Sequence, residues 1–169
     1  SFREMIQAPV RHTYNKEEGA VKSNAIKDAF TAAMKKAGFQ KKSDGWYLDA
    51  DDAILVANLQ KSDDGDQYYV NLAVWLKALG EVAFPKEYQC HIRMRAWRLE
   101  PEQRKYLEGE LFNLENPEIS DATRRELVRS FLETKAIPFL RSCSTLRGLK
   151  QLYRENRLKG AAIMVRAQQ

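Results

Sequence analysis

The chain has 169 residues, 44% of them hydrophobic, which fits one globular domain with its own core and excludes a chain that is disordered throughout. No apolar run approaches the roughly 18 residues of a membrane-spanning helix and no signal peptide opens the sequence, so we expect a cytoplasmic protein without a membrane partner. The net charge of +5 is uneven, because residues 120–169 carry 11 Lys or Arg against 4 Asp or Glu.

The first two thirds of the chain predict one helix followed by strands. Residues 1–20 show no period and are predicted to form an irregular lead-in. Apolar residues at three- and four-residue steps predict a helix over 26–37, capped by Ser23 or Asn24 and ended by Gly38. Aromatic and alternating runs predict four strands, at 46–48, 53–60, 68–76 and 88–97. An Asp-Gly pair in the loop between the second and third runs predicts a hairpin.

The last third predicts three helices. The first spans 101–111, and the spacing Thr123-x-x-Glu126 in the second matches a capping box. The predicted caps and breaks are Ser120 or Thr123 at the start of the second helix, Pro138 at its end or kink, and Ser144 at the start of the third.

This order of elements predicts a single-domain α+β fold. About four strands form a mostly antiparallel sheet, and an N-terminal helix and three C-terminal helices pack on one face of it. We predict a lead-in over residues 1–20, the α+β domain over 21–155 and a basic C-terminal tail over 156–169.

Several short motifs occur in an order and spacing that resemble one bacterial family. They are Ala37-Gly38-Phe39-x-Lys41-Lys42, Trp46-Tyr47, Asn58-Leu59-Gln60-Lys61-Ser62, Tyr68-Tyr69-Val70-Asn71-Leu72, Arg95 and Ala136-Ile137-Pro138-Phe139-Leu140. Over roughly residues 24–153 the chain resembles the uncharacterised family known as domain of unknown function number four-three-zero-four. The resemblance implies an α+β fold and a prokaryotic source but no established activity. Some members resemble proteins encoded beside polymorphic toxins, which implies a toxin-immunity role.

A set of polar residues on the predicted strands is the candidate binding site. Asn58 and Gln60 are two residues apart on one strand and share a face, and Asn71 can lie across the hairpin from them. Alternation in the fourth run puts Cys90, Ile92, Met94 and Ala96 on one face and His91, Arg93, Arg95 and Trp97 on the other. If both arginines join the amides, the patch can bind a carboxylate or a phosphate. The alternative is a solvated or internally hydrogen-bonded sheet face.

No motif predicts a catalytic residue, a metal site or a cofactor. His91 adjoins Cys90, but neighbours on a strand point to opposite faces, so they form no thiolate–imidazole pair. The acidic runs 49–52 and 63–66 fit turns better than calcium loops. No Cys/His spacing fits zinc, and the two cysteines, Cys90 and Cys143, are predicted to be reduced thiols.

Basic residues near the C-terminus are candidate contacts to an anionic partner. The candidates are Arg147, Lys150, Arg154, Arg157, Lys159 and Arg166. Tyr153 alone interrupts them, so base stacking is not indicated, and contact with nucleic acid would be nonspecific and salt-dependent. The alternative is an ordinary solvated helix face.

The leading hypothesis from the sequence is a non-catalytic protein-binding module, with a cognate toxin as one possible partner. One alternative is a nucleic-acid-associated accessory protein that uses the basic C-terminal third. The other is an enzyme that uses Asn58, Gln60, Asn71 and Arg95, and it requires these residues to line a concave site.

Overall fold

The computed structural model describes residue 2, residues 24–164 and residue 167. The predicted lead-in over 1–20, apart from Phe2, therefore lies outside the described residues, as do the candidate cap Ser23 and the candidate contact Arg166. Phe2 is buried, with its ring centroid 5.5 Å from that of Phe131.

An antiparallel sheet organises the described chain. Its six strands lie side by side in sequence order, and each is antiparallel to the next. They are β1 (Gln40–Lys42), β2 (Gly45–Asp49), β3 (Ala53–Lys61), β4 (Tyr68–Leu76), β5 (Ile92–Arg95) and β6 (Ala162–Ile163). The sequence predicted about four strands. It missed β1 and β6 because runs of three and two residues are too short to show a period.

The predicted hairpin and its side-chain alternation are confirmed. In β3 and β4, Asn58 pairs with Asn71 and Gln60 pairs with Tyr69, and the Ser62 amide donates to Gln67 O across the loop. Because side chains alternate along a strand, Leu55, Ala57, Leu72 and Val74 enter the main core, while the residues between them face the other side of the sheet.

The fourth predicted strand is shorter than expected. Only Ile92–Arg95 is extended, and 3₁₀ turns at Glu87–Gln89 and Ala96–Leu99 flank it. Within β5 the predicted alternation holds, since Ile92 and Met94 enter the main core. Cys90 was predicted on their face, but it packs on the opposite face of the sheet, because the chain turns there before the strand begins.

The first helix forms as the sequence predicts. Helix α1 spans Ala25–Lys36, and the Asn24 side chain accepts a hydrogen bond from the Lys27 amide at 3.1 Å. Gly38 has a φ of +87°, and the Phe39 amide donates to Met34 O, so the helix ends in a left-handed cap.

The C-terminal helices differ in detail from the predicted ones. They are α2 (Arg104–Tyr106), α3 (Asp121–Phe131), α4 (Ile137–Ser142) and α5 (Leu146–Arg154). The predicted helix over 101–111 consists of a 3₁₀ turn at Pro101–Gln103, the short α2 and a π-helical segment at Leu107–Leu111. The 3₁₀ and π-helical hydrogen-bonding patterns on either side of α2 replace the single regular α-helix that the sequence predicted.

The predicted caps and breaks of these helices are confirmed only in part, since Ser120 was one of the two caps predicted for α3. The Ser120 side chain, not that of Thr123, caps α3, while Glu126 pairs with Arg129 instead of completing a capping box. Pro138 does not end the helical path, because a π-helical segment at Leu132–Ala136 precedes it and α4 continues to Ser142. Such a bulge leaves room for the proline ring, which would clash with the carbonyl four residues earlier in a regular helix.

The cap of α5 is also displaced by one residue from the predicted Ser144. The Thr145 side chain accepts a hydrogen bond from the Gly148 amide at 3.0 Å. Asp52, in the predicted polar turn, adds a second cap because its Oδ2 accepts the Leu146 amide at 2.8 Å.

The helices pack on one face of the sheet, as predicted, and α1 lies against α3 there. Buried members of this main core include Phe30, Phe131, Leu55, Leu72 and Val128. A second, smaller cluster on the outer face consists of Tyr47, Ile54, Val56, Ala73 and Cys90. No helix within the described residues is long and apolar enough to cross a membrane.

Candidate functional site

Three amide side chains form a fixed network on the outer face of the sheet. The Asn71 side chain is nearly buried, at 6% exposure, and its Nδ2 donates to Asn58 Oδ1 and Gln60 Oε1, both at 3.0 Å. Asn58 Nδ2 in turn donates to the carbonyl of Asp44 at 2.8 Å. Each bond restricts a side chain that would otherwise rotate, so the amides present their remaining polar atoms in one arrangement.

Arg95 lies beside this network. It pairs with Asn71 in the register of β4 and β5, and its Nη1 donates to Gln60 Oε1 at 3.4 Å. The Arg95 guanidinium also stacks on Tyr69, with its Cζ 4.3 Å from the ring centroid. Within the described residues Arg95 has no ion pair, so its charge is available to a carboxylate or phosphate.

Arg93 shares the outer face but differs from Arg95 in its contacts. Its Nε and Nη2 donate to the two carboxylate oxygens of Glu87 at 3.0 and 3.2 Å. This bidentate pair neutralises the guanidinium and fixes the 3₁₀ turn at Glu87–Gln89 against β5. Arg93 therefore shapes the site without offering a free charge.

His91 does not join the patch, which corrects its predicted place beside the arginines. It is fully buried, its Nδ1 accepts the Leu76 amide at 2.9 Å, and its ring centroid lies 4.3 Å from that of Trp75. His91 precedes the first residue of β5, so the alternation that holds in the strand does not apply to it.

The amides line a groove of about 350 Å³. Val56, Asn58 and Asn71 lie along its floor, and the 86–88 segment stands beside it. Tyr88 is 67% exposed at this edge. Sequence reading assigned Tyr88 to a strand and so missed it, although Gly80 and Pro85 mark the connection in which this segment begins.

Tyr47 closes the end of the groove near β2. A Cβ at Gly45 would lie 2.7 Å from Tyr47 Oη, so the ring occupies space that only glycine leaves open. Burial, with the charge of Asp44 as a second cause, raises the pKa of Tyr47. The Tyr47 hydroxyl therefore stays protonated at neutral pH and adds a neutral polar group to the groove.

The predicted basic residues fall into two groups. Arg147, Lys150 and Arg154 are exposed on α5, and their spacing of three and four residues places them along one side of the helix. Arg157 and Lys159 follow the helix and line a separate cavity. The segment predicted as a tail over 156–169 also contributes β6 to the sheet.

The acidic runs have structural partners. Asp49 pairs with Lys77 at 2.5 Å, and Asp66 pairs with Lys61 at 3.3 Å. In the part of the chain that the structure describes, no three His, Cys, Asp or Glu side chains are placed to hold a metal ion. Cys90 and Cys143 are free and buried, and burial raises the pKa of each thiol to about 12.

Comparison with known proteins gives a family but no close relative. No curated protein matches the chain, and no solved structure matches it. A family model described as "Domain of unknown function (DUF4304)" matches residues 30–142, which is more than half of the chain. The match contains the groove amides and Arg95, while α5 and β6 lie beyond it. The chain therefore belongs to this domain family of unknown function, as the sequence motifs predicted.

Proposed function

We propose that this protein is a non-catalytic protein-binding module, and that it acts as an immunity protein that blocks a toxin by binding it through the groove. The observation that carries the proposal is the uncompensated guanidinium of Arg95 beside a fixed amide network on an open part of the sheet. The toxin as partner rests on the family resemblance, and the binding surface rests on the groove.

The groove and the surface beside it have the residue types that contribute most to protein interfaces, since Tyr88 lines the groove while Tyr69 and Arg95 lie beside it. Tyr88 projects at one edge, and Tyr69 is stacked under Arg95. Tyrosine and arginine are enriched among the residues whose truncation costs most affinity. Because Arg95 is held by Tyr69 and Gln60, binding it costs less side-chain entropy than ordering a free arginine.

The charges of the groove lining balance, because Asp44 and Glu87 line it together with Lys61 and Lys86, so the acidic partner we propose is selected by Arg95 beside the groove. Lys61 and Lys86 line it, and their pairs with Asp66 and Asp44 are exposed, at 3.3 and 3.9 Å. Exposed pairs of this kind contribute about 0–1 kcal/mol, so an incoming carboxylate can replace them. The partner we propose presents a protruding loop with an acidic side chain for Arg95 and peptide groups for the amides.

The enzyme alternative required Asn58, Gln60, Asn71 and Arg95 to line one concave site, and the groove is lined by the three amides but not by Arg95. The hydrogen-bonded network consists of amides, which do not act as acids or bases at neutral pH, and of an arginine, which stays charged. These groups hold and orient a ligand. Binding is therefore the function that the groove supports best.

The test begins with capture of partners from the native host by tagged protein after nuclease treatment. A captured protein is then purified, and its complex is measured by light scattering and calorimetry. We expect a one-to-one complex in which Arg95→Ala and Tyr88→Ala each weaken binding at least about tenfold, as interface anchors do. Arg147→Ala, on the exposed side of α5, is the matched control and should change affinity less than about twofold.

Two results would contradict the proposal. Equal affinity of the Arg95→Ala variant and the unaltered protein would place the interface elsewhere. Recovery of nucleic acid alone, lost as salt rises, would favour the accessory role that the basic residues predict.

A further inference from the structure

A second cavity lies away from the groove and shares no lining residue with it. Its volume is about 630 Å³, within the range of small-molecule sites. Three segments distant in sequence form it: the turn after β5, the π-helical segment with α4, and the chain that follows α5. The sequence had predicted contacts to an anionic partner only in the last of these, at Arg157 and Lys159.

The cavity is lined by four cations and, within the described chain, by no acidic residue. The cations are Arg98, Lys135, Arg157 and Lys159. Lys135 is held by Glu100 at 2.7 Å, and Arg157 lies 3.6 Å from Glu155 in an exposed pair. Arg98 and Lys159 have no ion pair in the described residues, so the cavity carries a net positive charge.

The position of Arg98 is set by its neighbours. Its guanidinium lies over Trp97, with Cζ 4.6 Å from the ring centroid. On another side it meets Gly160, where an added Cβ would be 2.3 Å from Arg98 Nη1. Gly160 has a φ of +80°, a backbone conformation that favours glycine, and its missing side chain leaves space for the end of the Arg98 side chain.

An apolar wall accompanies the charges. Leu99, Pro101, Pro138 and Phe139 line the cavity together with Trp97. A site with several cations and an apolar wall fits a ligand that has an anionic end and a flat, weakly polar end. Arginine binds carboxylate and phosphate oxygens alike in bidentate fashion, but four cations around one cavity fit the several negative charges of a phosphate ester better than the single charge of a carboxylate.

We propose that this cavity binds a small organic phosphate of the nucleoside diphosphate class. Arg98, Arg157 and Lys159 contact the phosphates, and the base lies against the apolar wall. The grouping of four cations around one partly open cavity distinguishes the site from a track for a nucleic-acid strand, which needs a continuous line of cations along a surface. The proposal does not depend on the protein-binding role of the groove.

Calorimetry of the full chain with ADP at near-physiological salt tests the proposal. We expect saturable one-to-one binding, and no binding of adenosine, because the cations supply most of the affinity. Arg98→Ala and Lys159→Ala should each weaken ADP binding at least about tenfold, the loss expected for a charge-assisted hydrogen bond. Both side chains are exposed, and circular dichroism would verify that the variants are folded.

The matched controls are Arg147→Ala and Lys150→Ala, which remove the same charges from α5, outside the cavity. They should leave ADP affinity within about twofold, the change expected from long-range charge alone. The absence of saturable ADP binding would overturn the proposal. Equal losses in cavity and control variants, with tighter binding of a single-stranded oligonucleotide, would overturn it in favour of nucleic acid.

Discussion

Arg124 is a buried charged residue whose removal should lower the free energy of unfolding strongly. It is 1% exposed, and its guanidinium donates to the carbonyls of Glu110, Leu111 and Asn116 at 2.7, 2.5 and 2.9 Å. Burial lowers the pKa of the Arg124 guanidinium, and the charge of Asp121 partly offsets this effect. The three carbonyls belong to the segment 110–116. This segment is hydrogen-bonded to the start of β4, because the Tyr68 amide donates to Phe112 O.

The magnitude follows from these contacts. Arg124→Ala leaves three carbonyls without their donor, and a buried unsatisfied group costs about 1–3 kcal/mol. The Leu111 carbonyl is fully buried and bears the whole penalty, while water can reach the other two. With the cavity left by the side chain, we expect a loss of roughly 3–5 kcal/mol in the free energy of unfolding. That is a large share of the about 5–15 kcal/mol of a typical domain.

Urea unfolding followed by circular dichroism measures this loss. Arg129→Ala is the matched control on the same helix, since Arg129 forms an exposed pair with Glu126 and a partly buried pair with Glu133 near the surface. Such pairs contribute about 0–1 kcal/mol. If Arg124→Ala destabilises no more than the control does, the three carbonyl bonds do not hold the segment and the reasoning is refuted.

Three further predictions concern the reactivity of the thiols, the pH dependence of stability and two glycines. Cys90 and Cys143 should not react with a disulfide reagent at pH 8 in the native protein and should both react in denaturant, because burial raises each pKa from 9.0 to about 12. Above pH 9 the thiols of the unfolded chain lose their protons, while those of the folded protein keep them until about pH 12. The free energy of unfolding should therefore fall as pH rises from 9 to 12, by at most about 1.4 kcal/mol per pH unit for each thiol. A urea midpoint that does not change with pH in this range would contradict this prediction. Gly38→Ala should destabilise by about 1 kcal/mol because φ is +87°, whereas Gly109→Ala, with nothing within 4 Å of the new Cβ, should be neutral or slightly stabilising in the same urea assay. Equal midpoints for the two variants would count against the strain at Gly38.

Features written in short stretches of sequence could be predicted. The apolar period of α1, its Asn24 cap and the left-handed Gly38 are local, as is the Asp-Gly loop between β3 and β4. Alternation along that hairpin was enough to place Asn58 and Asn71 together. In each case neighbouring residues determine the backbone, so a period or a turn motif carries the information.

The sequence was less informative where two local structures were both compatible with it. Ser120 and Thr123 are both good caps, and the choice of Ser120 depends on where the preceding segment joins the domain. The helical path through Pro138 continues because a π-helical segment forms before it, and no composition signal marks that segment. The burial of His91 follows from its contact with Trp75 on another strand.

The sequence by itself determined an α+β domain, its first helix, its central hairpin and the outward amides of the candidate groove. Only the tertiary structure decided that β6 pairs with β5, and that Arg98, Lys135 and Arg157 surround one cavity. Those contacts join residues far apart in the chain. The energy that selects them comes from packing and from pairing of distant backbone groups, which leaves no periodic trace in the residues that take part.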